Sequence, residues 1–472
     1  MTDLAALDAT AQADLVRCGE ASPKELVSAA IERIERLNPT LNAVIHERFD
    51  KAMSEVDAVD LKAPFPGVPF LAKDGGCAMQ GDPYHRGLGR LKQAGFCAPV
   101  DSELATRFRA AGFICLGRTN VPQLLLSSTT EPLAYGPTRN PWDVDRSPGG
   151  SSGGSGAAVG SGMVPIAHGN DAGGSIRIPA ACNGTVGLKP TRARSSDGPL
   201  LGETWGGLNH EFVLSRSVRD TAALLDALAG RAWGDPWMAP PPARPWLEEV
   251  GTPAGRLRIR VVASLDRHPS EPEIADAVRA TASLLADLGH DVSDAAVPEL
   301  EEDNPYGGVT SANAARDVDR LAAAAGITIE PEDLEPLPGM IVAAGRAMSA
   351  PQYLASIEAM HLYGRRLEAR WTDFDVLLTP TCAVTQARIG ELAPTADLAT
   401  MGAGLGARTW FTAPFNVTGQ PAISLPLHQS RGGLPIGIQL VAATGREDLL
   451  LRLSAQLESA LPWADRRPPL FG

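Results

Sequence analysis

Residues Ser147–Pro190 read SPGGSSGGSGAAVGSGMVPIAHGNDAGGSIRIPAACNGTVGLKP. Small Ser/Gly clusters alternate here with apolar segments (AAV, MVPIA, IRIPAA), a pattern that belongs inside a folded core rather than in a flexible Gly/Ser connector. Ser151 and Ser175 each follow a Gly-Gly pair. Glycines on both sides permit positive φ and a close approach to a ligand. They also leave backbone N–H groups unshielded, so a developing negative charge can be cradled there. Hydroxyls beside free N–H groups are what acyl transfer requires. The stretch itself supplies no obvious base.

Upstream, GVPFLAKDGG (67–76) runs from an apolar strand into Lys73 and a Gly-rich turn. The ordinary reading pairs this lysine with Asp74 or lets it snorkel. The alternative is a lysine desolvated enough to lose its proton near neutral pH and act as a base. Around it the pattern alternates helix and strand. Residues 4–18 and 23–36 read as helices, the second with a Ser22-Pro23-Lys24-Glu25 capping box. A helix over Asp101–Ala111, capped by Asp101, precedes a strand at Phe113–Gly117. A small-residue helix over 152–161 precedes a strand at Met163–His168 and a turn at Asn170–Ser175. Beyond a helix at Ser217–Ala229, the proline-dense segment DPWMAPPPARPW (235–246) reads as a linker or a surface excursion. Strands near 257–263, 291–297, 375–379, 422–426 and 436–441 continue the α/β alternation. Helices over 272–288, 311–325, 351–371 and 447–461 are interleaved with them.

Composition narrows the function. The 472 residues carry a formal net charge of −13, which speaks against a surface that tracks phosphates. Six scattered cysteines without a C-x-x-C pair speak against a zinc site or a disulfide framework. The N-terminus lacks a basic region followed by an apolar run, and no stretch is apolar for long enough to span a bilayer. The expectation is a soluble, cytoplasmic protein. Gly150–Gly154 formally fits G-x-S-x-G, but the lead-in DVDRSPG cannot be the strand which that elbow needs. GAGLGA (402–407) lacks the preceding strand of a dinucleotide site. His168, the only histidine near the Gly/Ser centre, reads as a strand residue rather than a triad member. With no histidine base, a Ser–Lys arrangement remains, and Lys73 is the best-placed amine. Taken alone, the residues lead to a hydrolase with a serine nucleophile.

The combination of GGSSGGSGAAV and HGNDAGGSIRIPAACNGTVGLKPT resembles the amidase signature family. GVPFLAKD is similar to that family's lysine motif and TEPLAYGPTRNPWD to its pocket-loop motif. LLTPT (377–381), APFNVTGQPAISLP (413–426) and GLPIGIQLVA (433–442) resemble further blocks in the expected order. The resemblance implies an α/β fold in a single large domain (1–472, signature core about 65–195), with a mixed central sheet flanked on both faces by helices. It implies Ser175 as nucleophile, Ser151 as a bridging serine with a cis peptide bond, and Lys73 as general base. The N–H groups of Ala172, Gly173, Gly174 and Ser175 would form the oxyanion hole, with Asp171 and Arg177 bracing the loop. No cofactor and no metal are implied. The expected partner is a small-molecule amide, not nucleic acid or membrane; a homodimer is left open.

The implied reaction is hydrolysis of carboxamide C–N bonds, with linear amides as the reference class and a small aliphatic, aryl, or linear or cyclic oligoamide as substrate. Two rival readings stand beside it. One is a glutamine-hydrolysing subunit of a tRNA-dependent amidotransferase, the other an inactive binding module. Asn170 stands where many relatives have Thr or Ser, and Ala172 where a larger residue is frequent. YHRGLGRLKQAG (84–95) replaces a smaller passage, and Leu124–Leu126 form an apolar wall. These departures point toward an apolar or linear aliphatic amide.

Overall fold

Short buried runs of β-branched and apolar residues make the strands, and the longer amphipathic runs between them make the helices. The computed structural model describes residues 3–472. Its strands are β1 (Val44–Glu47), β2 (Pro69–Lys73), β3 (Ile114–Thr119), β4 (Ile166–Asp171), β5 (Val186–Lys189), β6 (His210–Ser215), β7 (Arg258–Val261), β8 (Asp291–Asp294), β9 (Val376–Pro380), β10 (Ala422–Gln429) and β11 (Pro435–Ala442). All eleven join one sheet in the order β1-β3-β2-β4-β6-β5-β10-β11-β9-β7-β8. The sheet is mixed: β2 runs parallel to β3 and β4, whereas β4–β6, β5–β6 and β5–β10 are antiparallel. Helices cover it, as the sequence implied. Strands from both sides of the proline-dense segment 235–246 lie in this one sheet.

The capping box at Ser22 forms: Glu25 N–H donates to Ser22 Oγ (3.2 Å) and Ser22 N–H donates to Glu25 Oε2 (2.7 Å). Other boundaries move. The first helix begins at Ala9 rather than residue 4, because Asp8 caps it. Ser102, not Asp101, caps the helix Glu103–Ala110; Asp101 instead accepts from Gln80 N–H and pairs with Arg109. The helices Pro336–Arg346 and Leu398–Thr409 and the strands β5 and β6 lie where no regular element was expected. Glycines in the second helix and charged residues in the two strands mask their periodicity.

One shift matters for chemistry. The strand expected at Met163–His168 runs instead from Ile166 to Asp171, so Asn170 is a strand residue rather than part of a turn. Parallel neighbours β2 and β4 therefore end side by side, at Lys73 and at Asn170-Asp171.

Candidate active site

Lys73 ends β2 fully buried. Its Nζ lies 2.8 Å from Ser151 Oγ, 2.8 Å from Ser152 Oγ and 2.5 Å from Asn170 Oδ1. No salt bridge joins it to Asp74, whose carboxylate accepts the His85 N–H at 2.9 Å; the ordinary reading of this lysine is set aside. Burial pulls the ammonium down from 10.5 to about 7, against the opposing pull of Glu211 and Asp171, and Arg86 lowers it further. The three neighbours suit an uncharged amine. Asn170 Oδ1 can only accept, and Ser152 Oγ can accept while directing its own proton to Asn170 O at 3.3 Å. In the uncharged form those two partners take both N–H groups and leave the nitrogen lone pair for the Ser151 hydroxyl.

Ser151 follows a cis Gly150–Ser151 peptide. Ser151 and the half-buried Ser175 line one cavity together with Asn170, Ala172 and Glu211. Ser175 sits in a loop bound from below by Asp171 and Arg177, both wholly inaccessible to solvent. Asp171 Oδ1 accepts from Gly174 N–H (2.7 Å), Arg177 Nη2 (2.9 Å) and Asn416 Nδ2 (2.9 Å). Oδ2 accepts from Ile176 N–H (3.2 Å) and Arg177 Nε (2.9 Å). Burial alone would raise this carboxyl, but the Arg177 charge and hydrogen bonds with Asn416 hold it well below the usual carboxylate range. Arg177 Nη1 in turn donates to Thr412 O (2.9 Å) and Gln439 Oε1 (2.8 Å).

This bracing corrects one expectation about the oxyanion hole. The Gly174 N–H is already donated to Asp171, so it is not a free donor. Among the described residues, the N–H groups of Ala172, Gly173 and Ser175 have no acceptor. Gly174 has a different part. At φ +133 a side chain would be strained, and a Cβ would lie 2.3 Å from Thr412 Oγ1, which donates to Gly173 O at 2.6 Å.

Behind Asn170 lies a polar chain that the sequence did not disclose. Asn170 and Glu211 are directly opposite on β4 and β6. Asn170 Nδ2 donates to Glu211 Oε1 at 3.2 Å, Asn209 Nδ2 to the same oxygen at 2.7 Å, and His168 Nε2 is 2.7 Å from Oε2. Burial favours the neutral acid, yet the His168 and asparagine hydrogen bonds keep Glu211 below its ordinary value. The carboxylate fits only because position 76 is glycine, with φ +94; a Cβ there would lie 2.2 Å from Glu211 Oε2. His168 is thus a strand histidine serving Glu211, consistent with its exclusion as a triad base.

A family model described as Amidase matches residues 25–451. The chain belongs to the amidase signature family. Over 98% of its length it is 44% identical to a 6-aminohexanoate-cyclic-dimer hydrolase of Paenarthrobacter ureafaciens, of which it covers 97%. It superimposes on a structure of 6-aminohexanoate cyclic dimer hydrolase complexed with substrate with a TM-score of 0.96, at 43% identity and full coverage of both chains. A bacterial aryl acylamidase of the same family gives a TM-score of 0.88 at 27% identity, covering 98% of this chain and 97% of that one. The protein is an amidase signature amidohydrolase. No helix among the described residues is long and apolar enough to cross a membrane.

The motifs of this amidase disclosed Lys73, Ser151 and Ser175 and the Asp171–Arg177 brace, but not Ser152, Glu211 or Asn416. Ser152 was masked by its neighbour in the motif. Glu211 was hidden in HEFVLS, where one acid among apolar residues marks a buried carboxylate. Asn416 lies inside the APFNVTGQP block, whose order was legible but whose contact with Asp171 was not.

Proposed function

We propose that the enzyme hydrolyses carboxamides through an acyl-enzyme on Ser175, with Ser151 as proton relay and Lys73 as base. The observation that supports this most is a buried amine 2.8 Å from Ser151 Oγ, with Ser151 and Ser175 on the wall of the same cavity. Ser175 Oγ attacks the carbonyl carbon while its proton passes to Ser151 Oγ and the Ser151 proton passes to Lys73 Nζ. The carbonyl electron pair moves onto oxygen and is held by the N–H groups of Ala172, Gly173 and Ser175. Each such donor contributes about 3 kcal/mol of barrier lowering. As the oxyanion collapses, the C–N bond breaks and Lys73 returns the proton through Ser151 to the departing nitrogen. Water repeats the sequence on the ester, releasing the carboxylate and restoring Ser175.

For the substrate we propose a small aliphatic or aryl amide, or a linear or cyclic oligoamide. The relatives named for cyclic 6-aminohexanoate dimers and for aryl acylamides support this range, and so does the apolar share of the cavity wall, which includes Phe96, Val100, Leu104, Leu125 and Leu321. The test is turnover of a panel of aliphatic, aryl, cyclic and peptide amides, with glutamine included, by the wild type and Ser175→Ala. The variant should lose kcat by about 10⁴-fold or more at an unchanged unfolding midpoint, and should resist a serine-directed phosphonate. Full residual turnover would exclude Ser175 as nucleophile. Ammonia release from glutamine alone would favour the amidotransferase reading.

A further inference from the structure

Part of the polar lining of the cavity is not used by the chemistry above. Arg86, in the loop after β2, and Arg320, on the helix Gly307–Ala325, both line it and both grip Asp317. Arg86 Nη1 donates to Asp317 Oδ2 at 2.9 Å and Arg320 Nη2 to Oδ1 at 3.3 Å, while Trp205 Nε1 donates to Oδ2 at 3.1 Å. Two guanidinium charges thus share one carboxylate. The Nε–H groups of both arginines are buried and have no partner, although the Arg86 side chain is only 6% exposed. Unmet donors on a buried cation are costly, because desolvation is not repaid.

Backbone strain collects at the same place. Arg86 (φ 52) and Trp205 (φ 55) are two of the few non-glycine residues in the left-handed region, and they are two of the groups that hold Asp317. Leu125 (φ 66) lines the same cavity. Bulky residues held in this region are strained and persist where the surroundings enforce them. The strained backbone here places Arg86, beside Asp317 and Arg320, on the wall of the cavity that also holds the reactive serines.

Resting on the amidase reading, we propose that Arg86 and Arg320 form a carboxylate-binding subsite, so that the enzyme favours linear amides bearing an anionic carboxylate over their uncharged counterparts. A planar guanidinium with free N–H groups matches a carboxylate in charge and shape. The remaining charges in the cavity allow it. Glu211 is committed to His168, Asn209 and Asn170. Asp197 also lines the wall; burial and the neighbouring Glu211 push its carboxyl up to about 7, so it carries only part of a charge at neutral pH. Asp101 is neutralised by Arg109.

The experiment compares kcat/KM for two chain-matched substrate pairs at a pH on the activity plateau. In one pair the acyl chain ends in a carboxylate or a methyl group (p-nitroanilides of adipic and heptanoic acid). In the other, hexanoyl 6-aminohexanoate is set against its methyl ester. The wild type should favour the anionic member of at least one pair by about tenfold or more, the magnitude of a charged hydrogen bond. That ratio should collapse in Arg86→Gln and in Arg320→Gln, mainly through KM, and fall as salt is added. Asp317→Asn, which frees both guanidiniums, should raise it. If both pairs are hydrolysed with no preference, or if the preference survives both arginine variants, the subsite is refuted while the amidase reading stands. If no member of either pair is cleaved and other amides are also inert, the amidase reading itself has failed.

Discussion

Replacing Glu211 by glutamine removes one charge from behind the lysine and leaves the side chain's shape. Asn170 bridges the two groups, with 2.5 Å from Lys73 Nζ to Oδ1 and 3.2 Å from Nδ2 to Glu211 Oε1. Through that carboxamide the charges are about 8 Å apart at most. With an effective permittivity of about 20 their attraction is about 2 kcal/mol, or about 1.5 pH units of Lys73 titration. The glutamine oxygen can still accept from Asn170 and Asn209. Its NH₂ would face His168 Nε2, which can become the acceptor because the unpartnered Nδ1 is free to take the proton. The geometry therefore survives and the electrostatics change. Glu211 raises the lysine pKa, so without its charge the ammonium is less stable and the free base persists to lower pH. The acid limb of kcat/KM, near pH 7 in the wild type, should move down by about 1.5 units or more in Glu211→Gln. A limb that stays in place, or moves up, would refute the claim that Lys73 titrates in the field of Glu211.

Stability should carry the same signature. Lys73 binds its proton up to about pH 10.5 in the unfolded chain but only to about 7 in the folded one. The unfolded state therefore holds the extra proton between those values, and folding stability contributed by this group rises with pH across that window. Lys73→Met should lack this rise in urea titrations made from pH 7 to 10.5; a parallel dependence in both proteins would contradict it. Asp171→Ala strips the buried Arg177 of its counter-charge and should cost about 3–5 kcal/mol in urea unfolding. A loss under about 1 kcal/mol would show that Asn416 and the carbonyl of Thr412 suffice for the guanidinium.

The parts of this molecule that could be read in advance were those where chemistry and backbone geometry coincide. The lysine at a strand end, the two Gly-Gly-Ser turns and the amphipathic helices carry their reasons locally. What stayed hidden depends on register. Asn170 faces Lys73 only because β4 extends to Asp171, and Glu211 reaches Asn170 only because the pairing of β4 with β6 sets them opposite. β6 itself was not anticipated, since His210 and Glu211 break an apolar run. The Arg86–Asp317–Arg320 cluster joins a loop near residue 86 to a helix more than two hundred residues later, and no local pattern anticipates such a meeting. Conversely, the tempting pairing of Lys73 with its neighbour Asp74 fails because the strand sends one side chain to the serines while the other accepts from the turn at His85.

The most direct probe is the titration of the Lys73 ammonium itself, followed by heteronuclear NMR of protein labelled at the lysine ε-carbons and assigned with Lys73→Met. A midpoint near 7 is expected from its burial among Ser151, Ser152 and Asn170. A midpoint at the ordinary lysine value of 10.5 would leave the amine charged throughout the neutral range and unable to serve as the base.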